Sequence, residues 1–179
     1  MSNVGLWEEM FAGVKEPRPF AETATYALGA RWLEGLDVED WGCGMGWMRN
    51  LIPSERYRGI DGSRSKFVDE VVDLAEYRSS TPGLFMRHVL EHNPQWQKVL
   101  DNALASFTER MFLVLFFPFS EETRDLTPGE NSPNVPNFSF RLEDLTERFD
   151  GAQWTMESIP SPATLGGVET VFRLSRRRG

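Results

Sequence analysis

The run Met111–Phe117 (MFLVLFF) constrains the fold more than any other stretch of this chain. An unbroken apolar row of strand length fits neither a half-exposed strand nor an amphipathic helix; it suits the centre of a sheet covered on both faces. The neighbouring segments supply the covers. Val38–Trp41, Tyr57–Asp61, Val68–Leu74 and Gly83–Val89 read as further strands. Phe20–Leu36, Trp47–Ile52, a segment from Asn93-Pro94 to about Phe107, and Phe140–Phe149 read as helices, the third opened by an N-cap and a first-turn proline. Gln153–Ile159 and Glu169–Leu174 alternate as two last antiparallel strands. This order predicts a Rossmann-like α/β fold: a three-layer α/β/α sandwich whose mostly parallel seven-stranded sheet ends in an antiparallel hairpin. Residues 1–179 are expected to form one domain, with an N-terminal segment 1–19, a core 20–175 and a long loop 118–137 on the substrate side.

A chain of 179 residues is large enough to bury a core. Its one cysteine, Cys43, leaves no disulfide framework and fits a reducing compartment. Met111–Phe119 is too short to cross a bilayer, and the first ten residues lack the basic and apolar regions of a secretory signal, so a cytoplasmic location is expected. With 27 acidic against 19 basic residues the net charge is −8, which disfavours nucleic acid as a partner. The compact basic patch Arg176–Arg178 reads as a solvated strand end.

Between the first strand and the helix after it lies Asp40-Trp41-Gly42-Cys43-Gly44-Met45-Gly46. Strand, glycine loop and helix together bring backbone N–H groups and a helix N-terminus against a ligand. The spacing is G-x-G-x-G; a dinucleotide fingerprint would need glycine at position 47, which is Trp. About fifteen residues on, Gly59-Ile60-Asp61-Gly62-Ser63 places a carboxylate at a strand tip, where it would accept both hydroxyls of a ribose.

At these positions the sequence resembles the class I S-adenosylmethionine-dependent methyltransferases. Val38–Gly46 follows the family's first motif, Gly59–Ser63 its glycine-aliphatic-Asp-x-Ser strand, Val72-Asp73-Leu74 the stretch that meets adenine, and His88-Val89-Leu90-Glu91-His92 the segment after the fourth strand. The resemblance implies S-adenosylmethionine as cofactor. It implies that Gly42, Cys43, Gly44, Met45 and Gly46 approach the methionine portion, that Asp40 orients this loop, and that Asp61 holds the ribose. Gly62 and Ser63 would flank the adenine, and Asp73 and Leu74 would grip its edge and face.

Both histidines lie in His88-x-x-Glu91-His92. Three readings stand side by side. The segment is structural, with Glu91 favourable near a helix N-terminus. His88 or His92 is a general base for a hydroxyl acceptor. Or His88, Glu91 and His92 hold a divalent metal, two nitrogens and a carboxylate being an adequate ligand trio. The string also matches a metalloprotease signature, but that motif belongs on an uninterrupted helix.

Neither the Asn/Asp-Pro-Pro-aromatic motif of base-amino methyltransferases nor a Pro-Cys nucleophile is present. Acidic charge and compact size point to a small-molecule or sugar-like acceptor. Its pocket is expected under the N-terminal segment, the 118–137 loop and the 161–167 turn, with Phe116, Phe117, Phe119, Phe138 and Phe140 as candidate lining, although core packing suits Phe116 and Phe117 better, since they sit in the buried strand. Two other classes compete: a non-catalytic module that keeps the fold for protein contact, and an RNA or DNA methyltransferase resting on the Arg176–Arg178 tail.

Overall fold

The computed structural model describes residues 4–127, 135–164 and 166–176. Nine strands and four helices follow in chain order among these residues. They are α1 (Val4–Ala12), α2 (Ala24–Trp32), β1 (Val38–Trp41), β2 (Tyr57–Asp61), β3 (Glu70–Val71), β4 (Thr81–Arg87), α3 (Trp96–Ser106), β5 (Phe107–Leu115), β6 (Arg124–Asp125), β7 (Phe138–Ser139), α4 (Leu142–Thr146), β8 (Ala152–Pro160) and β9 (Val168–Arg176). Seven strands form one sheet in the order β3-β2-β1-β4-β5-β9-β8, and β6 pairs with β7 apart from it. The first five are parallel; β9 runs antiparallel to β5 and pairs with β8 as the closing hairpin.

The central apolar run behaves as its composition demands. Met111, Leu113 and Leu115 face one layer, with Leu84 and Met86 of β4 beside them, against Trp96, Val99, Leu100 and Ala103 of α3 and Leu145 of α4. Phe112 and Val114, with Phe85, face the other layer, against Leu33 and the partly buried Tyr26, Leu28 and Trp32 of α2. Alternate residues of one strand thus enter two separate cores, and the sheet has helices on both faces.

Several boundaries differ from the sequence expectation. Helix α2 is shorter than Phe20–Leu36, because Ala21 turns the chain with φ +60 and Arg87 holds the Phe20 and Glu22 carbonyls before it. Trp47–Asn50 is a 3-10 turn, and α4 covers only Leu142–Thr146. β3 shrinks to two residues at the sheet edge. β4 stops at Arg87, since His88 turns the chain with φ +58. Leu90–His92 is then a 3-10 turn, and Asn93 caps no helix; its Oδ1 accepts the N–H of Gln95, and α3 opens at Trp96. The strand expected at Met111–Phe117 begins four residues earlier and ends at Leu115. Helix α1 lies in the N-terminal segment 1–19, to which no element was assigned. Residues 128–134 of the 118–137 loop, Arg177 and Arg178 lie outside the described residues.

Candidate active site

Strand order reverses direction between β1 and β4, so a crevice opens at the carboxyl ends of these strands, where open α/β sheets bind ligands. A cavity of about 700 Å³ fills it. Its walls come from the loops after β1, β2, β3 and β4, with α1 and residues 18–26 as the roof.

The loop after β1 is bent by left-handed glycines: Gly42, Gly44 and Gly46 have φ of +76, +50 and +71, which side-chain-bearing residues rarely adopt. Only Gly42 and Gly44 face the cavity with Cys43 and Met45. A Cβ on Gly46 would lie 2.6 Å from Phe67 Cβ, so this glycine serves close packing and not ligand approach. The buried Cys43 thiol is raised well above its ordinary pKa by burial, which makes it an inert wall.

Asp61 is the best-built group of the site. Its Oδ2 accepts the Gly44 N–H at 2.8 Å and its Oδ1 the Ser63 N–H at 2.8 Å, so the carboxylate joins the two ligand loops and is held in one orientation. The same carboxylate lines the cavity. Burial pushes the Asp61 pKa upward, opposed by those backbone bonds. Gly62, Ser63, Asp73 and Leu74 line the same side, and Asp73 Oδ1 accepts the Ala75 N–H at 2.9 Å. Asp40, expected to orient this loop and the cofactor's amino group, is buried behind the loop and does not line the cavity. Its Oδ2 accepts the Tyr57 hydroxyl at 2.8 Å, and burial raises its pKa to about 7.

The histidines are brought to one wall. His88 and His92 both line the cavity and sandwich Phe116, at ring distances of 4.7 and 5.3 Å. Glu91 points away: it is fully buried, its Oε1 accepts the Phe116 N–H at 2.7 Å, and burial raises its pKa to about 8. His88 Nε2 lies 2.9 Å from Glu169 Oε1, and His92 Nδ1 lies 2.9 Å from the Pro136 carbonyl. The three side chains expected as a metal trio therefore face three different partners, and no group of three His, Cys, Asp or Glu placed to hold a metal occurs among the described residues.

The expected phenylalanine lining is not there. Phe117 and Phe140 are buried, with Phe119 and Phe138 packed against the core, and none of the five phenylalanines borders the cavity. Trp7 and Phe11 of α1, Arg18, Phe20, Tyr26 and Arg87 take that place. Of these, Trp7 and Phe11 carried a legible signal, since Leu6, Trp7, Met10 and Phe11 repeat at helical spacing. Arg87 and Glu169 carried none; an isolated charge in a strand reads as surface until its partner is seen.

A glycine-bent loop and a tethered carboxylate at the switch point define a Rossmann-like ligand-binding protein. No protein-family model matches the sequence, and no curated protein matches it. Solved structures do. The 1,6-didemethyltoxoflavin-N1-methyltransferase of Burkholderia thailandensis, with 1,6-didemethyltoxoflavin and S-adenosylhomocysteine bound, is similar at a TM-score of 0.67 and 14% identity, over 98% of this chain and 84% of that one. The magnesium protoporphyrin IX methyltransferase of Synechocystis PCC 6803, with S-adenosylmethionine bound, gives 0.64 and 12%, over 99% and 98%. The [4+2]-cyclase SpnF gives 0.59 and 13%, over 99% and 93%. The chain has the fold of the class I S-adenosylmethionine-dependent methyltransferases. A fold shared with a cyclase leaves the chemistry to be argued from the site.

Proposed function

We propose that the protein binds S-adenosylmethionine in this cavity and transfers its methyl group to a small-molecule acceptor. The observation that carries the reading is Asp61: a buried carboxylate, fixed by the N–H groups of two loops, in the wall of a space large enough for a nucleoside. A fold used only for protein contact has no need of such a group.

The residues present fit this cofactor. Asp61 would hold the ribose, Gly62, Ser63, Asp73 and Leu74 the adenine, and Gly42, Cys43, Gly44 and Met45 the methionine portion. The bound cofactor supplies an electrophilic methyl group on sulfur. The protein's share is to place the acceptor in line with it and to exclude water. Helix α1 contributes to both, since Phe11 packs over Gly44 and stacks on Trp7 at 5.9 Å, closing the glycine loop from solvent.

Calorimetric titration with S-adenosylmethionine and S-adenosylhomocysteine tests the reading. Micromolar binding is expected, weakened at least ~30-fold in Asp61→Ala, as for loss of charge-assisted hydrogen bonds. A folded protein that binds neither compound at millimolar concentration would overturn it and favour the interaction-module reading.

A further inference from the structure

The cavity wall at the end of β4 contains a charge cluster that cofactor binding does not use. Glu169, at the start of β9, is 1% exposed. Its Oε2 accepts the Thr25 hydroxyl at 2.6 Å, and its Oε1 receives Arg87 Nη2. Arg87 has no N–H left for a ligand. Nε goes to Thr25 Oγ1 at 3.0 Å, Nη1 to the Phe20 carbonyl at 2.9 Å and the Tyr26 hydroxyl at 3.3 Å, and Nη2 to the Glu22 carbonyl at 3.4 Å as well as to Glu169. Arg87 is therefore a pin, and Glu169 a carboxylate locked as the anion. His88, the Arg87 guanidinium and the Thr25 hydroxyl hold its pKa below the ordinary value against the upward push of burial.

A fixed anion decides the tautomer of the imidazole beside it. His88 Nε2 sits 2.9 Å from Glu169 Oε1, in a contact bent from the straight hydrogen-bond line and thus mainly electrostatic. The proton belongs on Nε2, because a lone pair there would face the carboxylate. The ring's one acceptor lone pair is then on Nδ1, which makes no hydrogen bond among the described residues, on a residue that lines the cavity. The backbone supports this pose: His88 occupies the left-handed region at φ +58, a conformation costly for a side-chain-bearing residue. The rest of that wall is aromatic, with Trp7, Phe20, Tyr26 and His92.

We propose, building on the methyl-transfer reading above, that His88 is the general base, that Glu169 is its positioning residue, and that the acceptor is a flat ring bearing a hydroxyl. In the transfer the acceptor oxygen forms its bond to the methyl carbon as the carbon–sulfur bond breaks, the electron pair staying on sulfur. The hydroxyl proton passes to His88 Nδ1, so the positive charge lost from sulfur ends on an imidazolium facing the Glu169 carboxylate, and solvent later removes the proton. An amine acceptor gains nothing from such a base, because at a pKa of about 10.4 it arrives as an ammonium, and an imidazole this weakly basic cannot take the proton that blocks its lone pair. A methylated hydroxyl is strongly acidic and surrenders its proton even to a weak base. Burial, with the charges of Arg87 and His92, lowers the His88 pKa to about 4 although Glu169 opposes this, so the base is neutral throughout the physiological range. Glu91, the remaining titratable group nearby, is held protonated by burial.

With only two histidines, 15N NMR of the ring nitrogens reads the tautomer directly, and His92→Gln assigns the signals. The expected spectrum shows His88 as the neutral Nε2–H form from pH 8 to about pH 5. Glu169→Gln should shift it toward a tautomer mixture, which a purely structural role for Glu169 would not do. His88→Asn keeps a residue tolerant of positive φ. It should bind S-adenosylhomocysteine as the wild type does and lose at least ~100-fold in methylation of phenols. The probes are catechol and 4-hydroxyquinoline, with phenethylamine as the amine control. An Nδ1–H tautomer, an imidazolium at pH 7, an undiminished rate in His88→Asn, or methylation of the amine and neither phenol would each overturn the proposal. Loss of S-adenosylhomocysteine binding by the wild type would instead overturn the methyl-transfer reading itself.

Discussion

At the scale of single residues, the loop after β1 leaves no room for a side chain at Gly42. A Cβ there would lie 2.3 Å from Val89 Cγ2, and φ is +76. Gly35 has a similar φ of +83 but open space around its missing Cβ. Gly42→Ala is expected to cost about 2–4 kcal/mol, strain plus overpacking, and Gly35→Ala about 1–2 kcal/mol, strain alone. Urea unfolding of both variants checks this; equal costs would remove close approach as the reason for Gly42. Glu91 gives a second expectation. Its pKa is raised to about 8 by burial, against 4.5 in the unfolded chain, so the folded state binds the extra proton between those values. Stability contributed by this group is full below pH 4.5 and falls as pH rises through 8. Glu91→Gln keeps an acceptor for the Phe116 N–H and carries no charge. It should be more stable than wild type at pH 8.5 by at least ~1 kcal/mol, with the difference vanishing below about pH 4.

Among the elements, α1 is the one whose position matters most to the site. Phe11 covers the glycine loop with Val14, Met45 and Phe67, while Trp7 reaches His92 at a ring distance of 5.2 Å. Phe11→Ala should weaken S-adenosylhomocysteine binding about tenfold in calorimetry, a loss of ~1.4 kcal/mol from a less enclosed cavity. An unchanged affinity would mean that α1 does not cover the bound ligand. The spacing of Leu6, Trp7, Met10 and Phe11 marks this helix, but not its place: its apolar residues face a glycine loop far along the chain and not the main core. β1 and β2 were legible to the residue, since each ends on a turn signal, Gly42 and Gly62. β4 was read two residues late, because positive φ at His88 has no sequence signature in a non-glycine residue. In the same way Asp61 and the glycines were legible as motif residues. Glu169 was not, since its meaning comes from β9 pairing beside β5 and reaching Arg87 across the sheet end.

For the molecule as a whole, Arg87 and Glu169 link parts of the chain that are distant in sequence. β4 lies near the middle of the sheet, β9 arrives last in the chain, and the Arg87 guanidinium also holds residues 20–26, which roof the cavity. Both side chains are only 2% exposed. Removing one partner leaves an uncompensated buried charge, so Arg87→Met should cost about 3–5 kcal/mol, whereas removing both with Arg87→Met/Glu169→Leu should recover most of that loss. The single variant should also acquire a pH dependence of the same sense as that of Glu91. Without the guanidinium, which now lowers the His88 pKa, that imidazole faces an unpaired carboxylate and its folded pKa rises above the unfolded value. Stability from this new pair is then full below the unfolded value of about 6.5 and is lost as pH rises through the folded one. Thermal unfolding of Arg87→Met between pH 5 and 9 should therefore show its deficit growing with pH. The double variant, which has no carboxylate for His88 to neutralise, should not. A deficit in Arg87→Met that stays constant with pH would mean that Glu169 is reached by water once the arginine is gone, and that His88 and Glu169 are not electrostatically coupled.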